Sequence, residues 1–121
     1  MVMDLPTITG IVEHVVGTNG NVMVHTRPGR GTITGLTKAL ESTGRTVHDL
    51  RLPFFTSPID LEVESNSILL VSEFTDATLG KRILLKFLME KPKDIAVVGV
   101  SLETNSNMPA LDNRFIHLFR D

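Results

Sequence analysis

Two short, uninterrupted apolar runs constrain the fold of this chain more than any other feature of the sequence. The runs Ile68–Val71 and Ile95–Val100 are rich in β-branched residues and contain no charged side chain. In such a run the side chains that point to either face of the sheet are apolar. This is typical of a parallel sheet whose two faces are covered by helices. The segment between the runs, Leu79–Glu90, has its apolar residues at helical spacing. The pattern therefore predicts a strand–helix–strand unit.

The other segments extend this alternation into a three-layer α/β domain with a parallel sheet. Five strands are predicted, at Val22–His25, Val47–Leu52, Ser67–Phe74, Ile95–Ser101 and Phe115–Phe119. Helices are predicted at Ile8–Val16, Thr32–Thr43 and Leu79–Glu90. Ligands of such sheets bind where the strands end at their carboxyl side. Those ends are the loops Thr26–Gly31, Ser72–Asp76 and Ser101–Asn107.

Composition narrows the class of protein. A chain of 121 residues suits one domain, here 1–121, with a helix and turn over 1–21 and the core over 22–121. A net charge of −2 gives no electrostatic reason to expect a nucleic-acid partner, and the lack of cysteine excludes disulfides and thiolate metal sites. The apolar runs are too short for a membrane span, and Met1–Pro6 lacks the basic cluster of a signal peptide. We therefore expect a cytoplasmic protein without membrane contact.

Three segments carry a resemblance to a known family. The loop Thr26–Thr32 leads from a strand into a helix, Ser72-Glu73 follows four apolar residues, and Leu111–Phe115 precedes the last strand. In order and spacing these segments resemble the P-loop, the Walker B strand and the arginine-bearing segment of AAA+ ATPases, especially those of the MoxR-like branch. The resemblance covers Val22–Phe119. It implies a P-loop NTPase-like domain with a parallel five-stranded sheet in the order 5-1-4-3-2.

The nucleotide loop of this resemblance is degenerate. A Walker A loop reads G-x-x-x-x-G-K-[ST]. Thr26 stands at the first glycine, Thr32 at the lysine that holds the phosphates, and Ile33 at the hydroxyl that binds magnesium. The resemblance thus implies a vestigial nucleotide loop. Its residues are Pro28, Gly29, Arg30, Gly31 and Thr32.

The remaining motifs are also incomplete. Ser72 replaces the Walker B aspartate, whereas Glu73 keeps the place of the carboxylate that activates water. Sensor 1 falls near Leu102, with Asn105 as a possible substitute, and Arg114 matches an arginine-finger-like position. The segment 61–67 is too short for a pore loop, and the sequence stops after the fifth strand, where the family continues into a helical lid. The resemblance therefore implies neither threading nor remodelling of substrates.

These losses favour a protein without catalytic residues, bound metal or obligatory cofactor. Charge-assisted hydrogen bonds contribute about 1.5–3 kcal/mol, so loss of the lysine alone would weaken nucleotide binding about ten- to a hundredfold. Phosphoryl transfer also needs the metal that Ile33 and Ser72 cannot bind. Backbone amides of the loop could still hold an anion. The hypothesis is a catalytically inactive AAA+-like interaction module, which assembles with itself or docks on an active AAA+ ATPase.

Two other functions stay open at this point. One is an NTPase with a non-standard P-loop, in which Arg27 or Arg30 works with Glu73. The other is a nucleic-acid-associated adaptor in replication or phage biology.

Simpler interpretations of single residues stay open as well. Gly29 and Gly31 fit an ordinary turn, Glu73 a solvated strand end, and Arg114 a side chain that caps the preceding loop or pairs with Asp112. Two adjacent aromatic residues suit either an apolar contact patch or the core. They are Phe54 and Phe55. The four histidines are dispersed, without metal-ligand spacing, and are interpreted as structural or surface residues. They are His14, His25, His48 and His117.

Overall fold

The computed structural model describes residues 2–4, 7–27, 31–56, 63–73, 78–101 and 109–119. Its strands are β1 (Val2–Asp4), β2 (Asn21–His25), β3 (Val47–Arg51), β4 (Ile68–Ser72), β5 (Ala96–Ser101) and β6 (Ile116–Phe119). Its helices are α1 (Ile8–Thr18), α2 (Thr32–Glu41), α3 (Thr78–Glu90) and the short α4 (Pro109–Asp112). A 3₁₀ turn, Leu52–Phe54, follows β3.

All six strands lie in one parallel sheet, in the order β1-β6-β2-β5-β4-β3. Without β1 this is the order 5-1-4-3-2, so the predicted five-stranded topology is confirmed. Strand β1 was not predicted. It pairs with residues 117–119 of β6 at the sheet edge, so the segment 1–21 contributes a strand as well as the expected helix and turn. Three residues are too few to give a period of two, which explains the omission.

The two faces of the sheet form two separate apolar clusters. Because side chains alternate along a strand, Val22 and Val24 of β2 point to one face and Met23 to the other. Helices α1 and α2 cover the first face, through buried Ile11, Val15, Leu36 and Leu40. Helices α3 and α4 cover the second face, through buried Ile83, Leu84, Leu88 and Leu111. The three-layer architecture is therefore as predicted.

Arg45 joins three segments at the amino-terminal edge of the sheet. Its guanidinium donates to the Asn19 side-chain oxygen at 2.7 Å, to the Asn66 carbonyl at 2.7 Å and to the Asp94 carbonyl at 3.0 Å. These acceptors lie at the end of α1, before β4 and before β5. A planar group with five donors suits such a three-way contact better than lysine would.

Asp94 continues this contact. Its carboxylate accepts hydrogen bonds from the Ser65 hydroxyl and, at 3.2 Å, from the Asn66 backbone N–H. The Ser65 bond is the main reason why the pKa of Asp94 lies below its ordinary value of 3.8. A charged Asp94 therefore stabilises the same edge of the sheet as Arg45.

Within the described ranges, no helix has the length and apolar character that a membrane crossing requires.

Candidate functional site

The candidate site lies where β2, β4 and β5 end at their carboxyl side, next to the first turn of α2. Of the predicted nucleotide loop, the structure describes Gly31 and Thr32, while Pro28, Gly29 and Arg30 lie outside the described residues. Gly31 precedes α2 with φ +66°, in the left-handed region that glycine tolerates best. The position of the second P-loop glycine thus has a backbone conformation that suits glycine.

Two threonine hydroxyls meet at the start of α2, and one of them belongs to Thr32, which the sequence resemblance aligns with the Walker A lysine. The Oγ1 atoms of Thr26, just after β2, and Thr32, the first residue of α2, lie 2.9 Å apart, and both side chains are buried. The backbone N–H of Thr26 donates to the Ser101 carbonyl at 3.0 Å, which fixes this threonine against the end of β5. The contact ties the strand end to the start of the helix. Both groups are neutral hydroxyls, whereas a Walker A loop has the ammonium group of a lysine at the aligned position.

The two residues at the Walker B position lie close to the edge strand β3. The Ser72 hydroxyl donates to the Leu50 carbonyl of β3 at 3.4 Å. A Glu73 carboxylate oxygen lies 3.8 Å from Nε of Arg51, the last residue of β3, and both side chains are substantially exposed. Strand β5 lies between β4 and β2, so these contacts are made on the side of β4 away from the Thr26–Thr32 pair.

Glu73 has a strained backbone. Its φ of +58° lies in the left-handed region. For residues other than glycine this backbone conformation costs about 1–3 kcal/mol of conformational free energy. Such strain is frequent at functional sites, although it does not by itself assign a function.

The other predicted site residues are not brought together with this group. Leu102 and Asn105 lie outside the described residues. Arg114 is exposed and precedes β6, and its backbone carbonyl accepts a hydrogen bond of 3.1 Å from the side chain of Asn21, the first residue of β2. Arg114 therefore lies at the amino-terminal edge of the sheet, whereas Thr32 and Glu73 lie at the carboxyl edge.

The structure also shows a histidine pair that the sequence analysis missed. His25 Nε2 and His117 Nδ1 are 2.8 Å apart, and His117 Nε2 donates to the Asp112 carbonyl at 2.9 Å. The His25 ring also stacks on Phe119, with ring centroids 4.6 Å apart. The two histidines are distant in sequence but lie on neighbouring strands in the predicted order. The predicted strand order, which places these two strands side by side, could therefore have indicated that the histidines lie close together.

The histidine pair belongs to no larger group of possible metal ligands in the described part of the chain. Among the residues that the structure describes, no three side chains of the types His, Cys, Asp and Glu are grouped to hold an ion. His48 instead contacts Glu64 at 2.9 Å, which is the main reason why the pKa of Glu64 lies below its ordinary value of 4.5.

Comparison with known proteins shows the fold. The chain matches no protein-family model and no curated protein sequence. Among solved structures, it is similar to a DNA polymerase III gamma subunit-related protein from Thermotoga maritima, with a TM-score of 0.67 and 12% sequence identity. The match covers 94% of this chain and 45% of that chain, so this chain spans less than half of the other. The likeness is one of fold alone, and it agrees with the three-layer α/β architecture described above.

Proposed function

We propose that the chain is a catalytically inactive AAA+-like interaction module of the MoxR-like branch, which assembles with itself or docks on an active AAA+ ATPase. The observation that carries the proposal is the buried contact between the hydroxyls of Thr26 and Thr32. Thr32 occupies the lysine position and is used to join the helix to the strand. Neutral hydroxyls cannot replace the cation that neutralises charge in phosphoryl transfer.

The Walker B position supports the same conclusion. Ser72 has no carboxylate to organise magnesium, and its hydroxyl is directed to the Leu50 carbonyl. Glu73 keeps a carboxylate, but its nearest cationic neighbour in the described chain is Arg51 of the edge strand. A carboxylate that activates water needs a bound nucleotide and a metal ion beside it. Neither Ser72 nor Arg51 has a carboxylate that could bind this metal ion.

Association with another protein chain is a function that needs the intact fold but not the nucleotide chemistry. Two exposed residues support it. Arg114 is exposed at the amino-terminal edge of the sheet, in the segment that resembles a subunit-facing segment of ring-forming AAA+ proteins. Phe54 is 67% exposed beside a pocket lined by Leu50, Arg51 and Phe55. Aromatic residues and arginine are enriched in protein interfaces relative to the rest of the surface.

Sedimentation over a wide concentration range tests this proposal, with the protein alone and with an AAA+ ATPase recovered from native lysate. We expect association that increases with concentration and is weakened by Arg114→Ala. A strict monomer that binds no ATPase, and whose Arg114→Ala variant behaves identically, would contradict the proposal.

A phosphate-release assay addresses the alternative of a non-standard NTPase. We expect no ATP turnover above that of the Glu73→Gln variant. Turnover that disappears in Glu73→Gln would support the alternative and refute catalytic inactivity.

A further inference from the structure

The outer side of α3 combines exposed cations with exposed apolar side chains. Leu79, Arg82, Lys86 and Met89 occupy positions i, i+3, i+7 and i+10, which share one side of a helix, and we call them the α3 ridge. Leu79 is 58% exposed and Met89 61% exposed, and the side chains of Arg82 and Lys86 are also exposed. The opposite side of α3 packs on the sheet. The ridge therefore faces solvent along most of the helix.

The two cations of the ridge form no ion pair with a residue of the described chain. Arg82 and Lys86 lie one helical turn apart, where like charges repel. Neither forms a salt bridge with any residue that the structure describes, and Glu90, one turn after Lys86, does not pair with it. The ridge thus presents two adjacent cations that have no ion-pair partner among the described residues, on a protein whose net charge is −2.

We propose that the α3 ridge is a docking surface for an acidic, amphipathic helix of a partner protein. Two carboxylates one turn apart on that helix would pair with Arg82 and Lys86, and flanking apolar side chains would cover Leu79 and Met89. The inference rests on the proposed association function and identifies its partner surface. The exposed apolar residues favour protein over nucleic acid, because a phosphate backbone would pair with the cations but leave Leu79 and Met89 in water.

The size of the ridge sets the strength of the interaction. The ridge extends over about 15 Å from Leu79 to Met89, which is a short contact. Exposed ion pairs are weak and are screened by salt. We therefore expect weak, salt-sensitive binding of the kind found in transient complexes.

Amide chemical-shift titration of the full-length protein tests the proposal with three probes. The first is a helical peptide that carries two glutamates one turn apart between flanking leucines. The second is the same peptide with lysines in place of the glutamates, and the third is a short DNA duplex. We expect the acidic peptide alone to shift the amides of 79–89, with an affinity that falls as salt is added.

Charge-reversal variants provide the control. The double variant Arg82→Glu, Lys86→Glu should bind the acidic peptide about tenfold more weakly and gain binding to the lysine peptide. Lys86→Glu alone should weaken binding more than Lys38→Glu, which makes the same charge change at an exposed position of α2 on the other face of the sheet. All these positions are exposed, so the variants should fold.

Three results would overturn the proposal: no shift along α3 with the acidic peptide, equal binding of the lysine peptide, or tighter binding of DNA at the ridge. The last result would assign the surface to nucleic acid. These binding results do not depend on nucleotide turnover. The docking proposal can therefore fail while the proposed catalytic inactivity stands, and the phosphate-release assay tests the inactivity separately.

Discussion

At the scale of single residues, neighbours in sequence occupy opposite environments. Phe55 is 3% exposed and belongs to the apolar cluster under α3, whereas Phe54 is 67% exposed. The 3₁₀ turn separates the two side chains. The sequence left both a contact patch and a core position open for this pair. The core position is confirmed for Phe55, whereas the contact patch stays a prediction for the exposed Phe54.

Alanine substitutions should separate the two phenylalanines. Phe55→Ala creates a cavity in the core and should lower the free energy of unfolding by about 3–5 kcal/mol. Phe54→Ala removes only exposed surface and should change it by less than about 0.5 kcal/mol. Urea denaturation of both variants is the measurement. Equal losses would mean that Phe54 is packed as tightly as Phe55.

The candidate site shows how far sequence could reach at this scale. The sequence predicted that Thr26, Thr32 and Glu73 follow or precede particular strands and helices, because strand ends and helix starts are local features. It could not predict the contact between the threonine hydroxyls or the left-handed backbone of Glu73. Both depend on how β2, β4, β5 and α2 are placed in space.

At the scale of elements, α3 approaches the 3₁₀ turn at Gly80. A Cβ atom at Gly80 would overlap the backbone carbonyl oxygen of Leu52, so this position requires the absence of a side chain. Gly17, in the last turn of α1, has open space where its Cβ would lie. Packing therefore requires glycine at position 80 but not at position 17.

This difference predicts opposite effects of the same substitution. Gly80→Ala forces α3 away from the 3₁₀ turn and should destabilise the protein by about 1–3 kcal/mol. Gly17→Ala should stabilise it by about 0.5–1 kcal/mol, because alanine loses less entropy in a helix. Thermal or urea unfolding compares them directly. A neutral Gly80→Ala would show that the helix and the turn are not in close contact.

The long apolar strands were predicted well, and the two elements that were missed are among the shortest. Strands β4 and β5 were predicted to within two residues at each end, because a strand buried on both faces leaves an uninterrupted apolar run. Strand β1 and helix α4, with three and four residues, were not predicted. Their formation depends on pairing with β6 and packing near α3 rather than on a local pattern.

At the scale of the whole molecule, hydrogen bonds between polar groups connect several segments at the amino-terminal edge of the sheet. Arg45 and Asp94 connect α1, β4 and β5 through hydrogen bonds. Hydrogen bonds to the carboxylate hold the pKa of Asp94 below its ordinary value. A lowered pKa means that the folded state stabilises the charged form of Asp94. That stabilisation is present above about pH 4 and is lost as the pH falls through the lowered pKa.

The variant Asp94→Asn should therefore be less stable than the natural chain at pH 7, and the difference should shrink below about pH 4. Urea midpoints of both proteins from pH 7 to pH 3 measure this. Asp49→Asn, which makes the same charge change at an exposed position of β3, serves as control. A difference that is constant over this range would show that the carboxylate charge does not contribute.

The central claim is that this fold retains the place of a nucleotide site without its chemistry, and calorimetric titration with ATP tests it most directly. Neither Thr32 nor Ser72 can supply the lysine or the aspartate of the family, so we predict weak or undetectable binding that magnesium does not change. The titration is run with magnesium and with excess chelator. Micromolar affinity that requires magnesium would contradict the account.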